Sequence, residues 1–249
     1  MTNYGLDLHG EMLLEEDRAD KPLFEKLQHV VMDKLGELVR QSGIEVNTME
    51  SRIKAEESLA GKLQRKGYKY NTLSDITDIF GARIITFYNE DVDRIASMAE
   101  TLFEIDWPNS VDKRKMHDFN SFGYNSLHYI CTLPKSVVDD PDMPLLNELR
   151  FEIQMRTALQ HVWSTLDHDT AYKGGGVNIP REYQRQFGRL AGMLELVDEE
   201  FSRLRNVLTD YRRQMLALEA SGQLDKVDLN SDTFRRYLEA QPFARLNKR

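Results

Sequence analysis

From Lys21 to about Arg40, the residues Leu23, Leu27, Val30, Val31, Leu35 and Leu38 recur at helical spacing, which predicts an amphipathic helix with one face on a core. A second helical stretch is expected from about Ile53 to Lys69. It leads into SDITDIFGARIITFY, where Ser74 and Asp75 are helix-start types and Gly81 precedes a β-branched run, read as a buried strand from Ala82 to Tyr88. Asp91 to Phe103 returns to the helical period. Ser126 to Leu133 then reads as a strand ended by Pro134, and Arg150 to Met155 alternates as a strand does. Thr157 to Tyr172 is helical again. Three glycines at 174 to 176, followed by Pro180, are the strongest punctuation in the chain. Beyond them Leu190, Leu194, Val197, Phe201, Leu204, Leu208, Tyr211, Met215 and Leu218 alternate spacings of 4 and 3, a heptad seam on one long helix.

Strands separated by helices predict an α/β (α+β) fold, a mixed β-sheet flanked by helices with a C-terminal α-helical extension. The expected division is an N-terminal helical segment over 1–50 that packs on the core, a core over 51–176, and a helical extension over 177–249. The seam fits packing against the chain's own core, self-association as a homo-oligomer, or a protein partner, because a seam names no partner.

Composition narrows the classes. No stretch approaches the ~20 apolar residues of a spanning helix, and the opening MTNYGLDLHGEM lacks the basic-then-apolar order of a secretory signal. A cytoplasmic chain with no membrane association is expected. The single cysteine, Cys131, excludes an intramolecular disulfide and reads as a small buried hydrophobe on a strand. A formal charge of −8 argues against a general grip on nucleic acid, which needs many Lys and Arg contacts to phosphate.

Against that acidic background Arg52, Lys54, Lys62, Arg65, Lys66 and Lys69 face only Glu56 and Glu57, a local balance of +4. On a helix Ser58, Lys62, Arg65 and Lys69 would share one face, offered either to solvent or to a nucleoside triphosphate. Asp78, just before the strand entered through Gly81, and Glu152, within FEIQMRT, are acids far apart in sequence at strand-associated positions. Each alone could be structural; together near a phosphate they suit magnesium, a hard cation that takes one or two carboxylates. FGYNSLHY sets Tyr124 and His128 around a glycine-led turn, where an aromatic can stack on a base or simply pack. RTALQHVWSTLDHDTAYK follows with Arg156, Gln160, Trp163, Asp167 and Lys173. His161 and His168 share a helical face there, but no third ligand stands at zinc spacing.

In this order and at these intervals, RIKAEESLAGKLQRKG, DIFGARI, FGYNSLHY and EIQMRT with its Trp and Tyr-Lys followers resemble the synthetase domain of the RelA/SpoT family over about Arg52 to Gly174. The resemblance implies a nucleotidyltransferase-like fold and a magnesium-dependent GTP or GDP pyrophosphokinase, which moves a pyrophosphate from ATP to a guanosine 3'-hydroxyl and so makes pppGpp or ppGpp. It also implies roles. Arg52, Lys54, Lys62 and Arg65 would hold the ATP phosphates, with Ser58 adding a hydroxyl. Asp78 and Glu152 would hold Mg2+, and Glu152 would also take the acceptor's proton. Tyr124 would stack on the acceptor base, with His128, Gln154 and Arg156 lining that side. Unit like charges about 4 Å apart at an effective dielectric near 20 repel by about 4 kcal/mol, so an oxygen can approach a phosphate only where cations neutralise it. Two departures stand out. Many relatives carry a Lys shortly before the Gly-Tyr pair, where HDFNSFGY has Asp118 and Asn120, with Lys113, Arg114 and Lys115 farther back; and Asp167-His168 stands where many have Glu-His. The missing Lys keeps open an adenosine nucleotide or the CCA end of tRNA as acceptor, and a non-catalytic nucleotide sensor is the reading from another class.

Overall fold

The computed structural model of the protein describes residues 4–115, 126–135, 146–172, 180–221 and 234–235. Tyr124, Asp118, Asn120 and Lys173 lie outside the described residues, as do the side chains of Lys115, Asp167 and His168.

The first helix, α1 (Leu8–Ser42), starts well before the expected Lys21. Asp7 caps it by accepting from Gly10 N at 2.7 Å, and Gly43 ends it at φ 64°, a left-handed turn that costs glycine nothing. Pro22 lies inside the helix, and the buried positions Leu13, Leu14, Phe24, Leu27, Val31, Leu35 and Leu38 continue on both sides of it. Packing along one face thus overrides the breaker that masked its first turns.

The stretch expected as a helix from Ile53 is two elements. Val46–Ile53 forms strand β1, and the helix α2 is shorter, Glu56–Lys66, with a 3-10 turn over Gly67–Lys69. Arg52 and Lys54 therefore do not belong to the basic helix, and Lys69 lies past its end. Glu56 and Glu57 at the start of α2, with Arg65 and Lys66 at its finish, match the helix dipole. Strand β2 (Phe80–Thr86), helix α3 (Asn89–Leu102), two-residue strands β3 (Glu104–Ile105) and β4 (Val111–Asp112), and strands β5 (Leu127–Thr132) and β6 (Phe151–Thr157) follow. Helix α4 is Ala158–Tyr172 and α5 is Arg181–Ala220. None of the described helices is long and apolar enough to cross a membrane.

The sheet order is β1-β2-β6-β5-β3, with β4 also on β5. Among the described strands β2 and β6 run parallel and the other pairs antiparallel, so the sheet is mixed, as expected. Alternation gives it two unlike faces. Phe80, Ala82, Ile84, Phe151, Ile153, Met155, Leu127, Tyr129 and Cys131 point into one core with α1 and α3. Phe151 sits at its centre, its ring 5.7 Å from Phe80 and edge-on to Phe103 at 5.4 Å. Cys131 is fully buried there, and burial pushes its thiol well above the ordinary value.

By compactness the chain divides into two units, Met1–Glu199 and Glu200–Arg249, the first running on past the glycines at 174 to 176. Within the first unit, Phe187, Ala191 and Leu194 of α5 pack with Leu159 and Trp163, and Thr157 donates to Asp198 at 2.7 Å. That stripe shares only Leu194 with the heptad seam. Leu190, Val197, Phe201, Leu204 and Leu208 are exposed.

The N-terminal half of α1 braces α2. Arg18 makes a two-pronged pair with Glu56, at 3.0 and 2.5 Å. Asp17 lies beside them, 9% exposed, and burial followed by repulsion from Glu56 pushes its carboxyl up to about 6. A carboxyl raised on folding stabilises the folded state fully below its unfolded value of about 4, and that contribution is lost as pH rises through about 6. Asp17→Asn is therefore expected to raise unfolding stability by roughly 1–3 kcal/mol near pH 7.5 and to leave it unchanged near pH 4. Urea denaturation at the two pH values measures this; an equal gain at both would refute the assignment.

Candidate active site

The second face of the sheet carries the polar chemistry, and strand register assembles it. Arg52 pairs with Gly81, and Gly81 with Glu152. One row along, Glu50, Arg83, Gln154 and His128 stand side by side across four strands. Residues in register share a face, so residues more than 100 positions apart meet without any loop to position them. Glu50, Arg83 and Gln154 of that row line a cavity of about 280 Å³ together with Arg52, Asp78 and Glu152. Gly81 forms its floor: a Cβ there would meet nothing nearer than Glu152 O at 3.9 Å. Glycine is thus not forced by crowding, and its effect is to leave open the gap between Arg52 and Glu152.

Asp78, in the turn before β2, receives Lys54 Nζ at 2.8 Å and Lys62 Nζ at 2.7 Å, one on each carboxylate oxygen. Lys54 comes from the turn after β1, anchored by its N–H to Ile79 O at 2.7 Å, and Lys62 from α2. Burial works to raise the Asp78 pKa, but the two ammonium groups outweigh it and hold the carboxyl below its ordinary range. For Lys62 burial likewise opposes the charge, and Asp78 more than offsets it. The Lys62 ammonium also sits 5.2 Å from the centre of the Tyr70 ring.

Glu152 is held from both sides. His128 Nδ1 lies 2.6 Å from Oε1, and Gln154 donates to Oε2 at 2.7 Å. Burial again acts upward, and these bonds outweigh it, so the carboxyl lies below its usual value and is ionised at neutral pH. Arg156, 4% exposed, donates to Gln154 at 3.2 Å. Burial, followed by the Arg83 charge, lowers its guanidinium to about 10.

Of the residues singled out in the sequence, Arg52, Asp78, Glu152 and Gln154 line one cavity, Lys54 and Lys62 are bonded to Asp78, and His128 and Arg156 are bonded to its wall. Ser58 and Arg65 are exposed on α2 and are not part of the lining. Gln160 and Trp163 are structural: Gln160 accepts from Thr157 N at 3.0 Å and donates to Asn89, and Trp163 stacks edge-on against Phe187 at 5.6 Å. Sequence reasoning passed over Glu50 and Arg83, which are paired to one another, with Arg83 Nε also 3.4 Å from Gln154 Oε1. The signal was available: Arg83 is two residues beyond Gly81 on the same strand face. Among the described residues no group of three or more His, Cys, Asp or Glu could hold a metal. Two carboxylates facing one cavity are nonetheless the donor set a magnesium ion takes when phosphate oxygens and water complete its shell.

The family model for the region found in RelA/SpoT proteins matches residues 51–177. The chain is similar to GTP pyrophosphokinase YjbM of Bacillus subtilis, 29% identical over 161 residues, which cover 64% of this chain and 72% of that one. Its fold is similar to that of small alarmone synthetase 1 of Bacillus subtilis bound to its product pppGpp, with TM-score 0.63 and 23% identity over 78% of this chain and 98% of the other. The same synthetase bound to AMPCPP superimposes with TM-score 0.56 and 21% identity over 79% and 98%.

Lys54→Met leaves the half-buried Asp78 with Lys62 as its remaining ammonium partner. The Asp78 pKa is expected to rise to or above the ordinary carboxyl range, and stability at neutral pH to fall by roughly 1–3 kcal/mol. Because a depressed carboxyl contributes stability above about pH 4 and loses it as pH falls through the folded value, the variant should also show a weaker acid dependence. Carboxyl 13C titration by NMR reads the shift directly, and an unmoved Asp78 would contradict this account of the pair.

Proposed function

The chain belongs to the RelA/SpoT family, and from that premise we propose that it is a GTP pyrophosphokinase, which transfers the β,γ-pyrophosphate of ATP to the 3'-hydroxyl of GTP or GDP and releases AMP. The reading is supported by the similarity to a named GTP pyrophosphokinase and by the likeness of fold to a synthetase bound to pppGpp and to AMPCPP. The observation that carries it is the convergence of two ionised acids and a set of cations on one cavity.

The residues have a consistent division of labour. Arg52, Lys54 and Lys62 face the donor's phosphates, and Arg83 adds a fourth cation that the sequence reading omitted. Ser58 and Arg65 belong with them only if the donor extends along α2. Asp78 and Glu152 are the residues that would hold Mg2+, which when bound neutralises phosphate charge. Glu152 takes the proton of the acceptor 3'-hydroxyl; the 3'-oxygen forms a bond to the β-phosphorus while the bond from that phosphorus to the α,β-bridging oxygen breaks, and AMP leaves with the bridging oxygen. No covalent enzyme intermediate is needed, since positioning and charge neutralisation supply the catalysis. Gln154, Arg156 and His128 define the acceptor side, with Tyr124 the stacking residue.

With labelled ATP, magnesium and GTP or GDP, the wild type is expected to yield AMP and a labelled guanosine penta- or tetraphosphate. Asp78→Asn and Glu152→Gln should each lower kcat by about 10²–10⁴-fold. Labelled tRNA or a labelled adenosine product, with no guanosine product, would transfer the assignment to another acceptor. Equal background AMP release in wild type and Asp78→Asn would leave a nucleotide sensor in its place.

A further inference from the structure

Behind Glu152 a short chain of hydrogen bonds leads away from the cavity. His128 Nδ1 is 2.6 Å from Glu152 Oε1, and the other ring nitrogen, Nε2, is 2.7 Å from Ser126 Oγ. Ser126 is 7% exposed and directly precedes β5. Its carbonyl receives Lys113 N at 3.3 Å, which ties the start of β5 to the segment after β4. Among the described residues Ser126 is not part of the cavity lining, and the imidazole of His128 links it to Glu152.

We infer that Ser126 is a positioning residue for the transfer, its hydroxyl fixing the ring of His128 so that Nδ1–H is delivered to Glu152. The inference rests on the reading of Glu152 as the group that takes the acceptor's proton. An ionised carboxylate only accepts hydrogen bonds, so the proton of a neutral His128 lies on Nδ1 and Nε2 is left as a lone pair. A serine hydroxyl can donate into that lone pair, and Ser126 Oγ stands within reach of it.

Two alternatives are thereby disfavoured. The Nε2–H tautomer would turn a nitrogen lone pair toward the carboxylate. A ring rotated by half a turn would put carbon atoms where Nδ1 and Nε2 now stand, breaking both bonds. With Gln154 on Oε2 and His128 on Oε1, the carboxylate plane is fixed from both edges, and each oxygen keeps its second lone pair for the reacting groups. Removing the hydroxyl would leave the ring oriented from one side only.

The first measurement is the imidazole 15N spectrum of the wild-type protein without substrate, followed upward in pH to the plateau at which the ring nitrogens report the neutral form. His128 is expected to be the Nδ1–H tautomer; an Nε2–H tautomer overturns the inference and requires no variant. In S126A the carboxylate still selects Nδ1–H but the ring loses the bond at its other edge, so the His128 15N resonances are expected to broaden and shift, with kcat lowered about 10-fold and KM for both nucleotides unchanged. An unaltered kcat, a loss confined to KM, or a lowered kcat with a wild-type spectrum each overturns it. The spectra involve no substrate, so a wild type that shows the expected tautomer and transfers nothing overturns the functional reading, whereas a wrong tautomer overturns this inference alone.

Discussion

The parallel register of β2 on β6 fixes which side chains can meet. Gly81 lies opposite Glu152, Arg83 opposite Gln154, and Ile84 opposite Met155. Because side chains alternate, a slip of one residue would turn Glu152, Gln154 and Arg156 toward α1 and α3 and bring Ile153 and Met155 out into the cavity. The apolar face therefore secures the polar one. Phe80 and Phe151, packed ring against ring in the core, hold the strands at the offset that sets the acids and cations across from each other.

Within the cavity the charges form a partly balanced set. Asp78 is matched by two ammonium groups and Glu50 by Arg83, whereas Arg156 has Gln154 as its bonded neighbour in the wall and carries the lowered guanidinium value that burial beside another cation imposes. A polyphosphate entering such a site brings the charge that this cluster of cations lacks. Electrostatic stabilisation of this kind acts without reorganising the protein, because the groups are already held by the sheet and by one another.

Much of this was legible in the chain. The strands around Ala82, Leu127 and Phe151 and the helix α3 show as periodic runs, and Asp78, Glu152 and Gln154 stand in motifs whose order carries more information than any one of them. Strand β1 was not legible. Its sequence, VNTMESRI, mixes polar and apolar residues, its pairing is irregular between Val46 and Thr48, and the basic residues beyond it fall at helical spacing. The helical signal of α2 thus reaches back to Ile53 and Lys54, which belong to a strand and the turn after it. The start of α1 was hidden by Pro22; Arg83 could be read from its place two residues beyond Gly81 on one strand face, whereas its partner Glu50 lies on β1, which the pattern did not show.

The two ends of the sheet bear on how the molecule behaves in crowded solution. Strand β1 pairs irregularly at its start, between Val46 and Thr48, and then regularly to Ile53, and β3 is two residues long. An open edge recruits strands from other molecules when it is long, flat and regular, and among the described strands the two-residue β3 does not meet that description. The brevity of β3 is thus a guard against edge-to-edge aggregation at that margin.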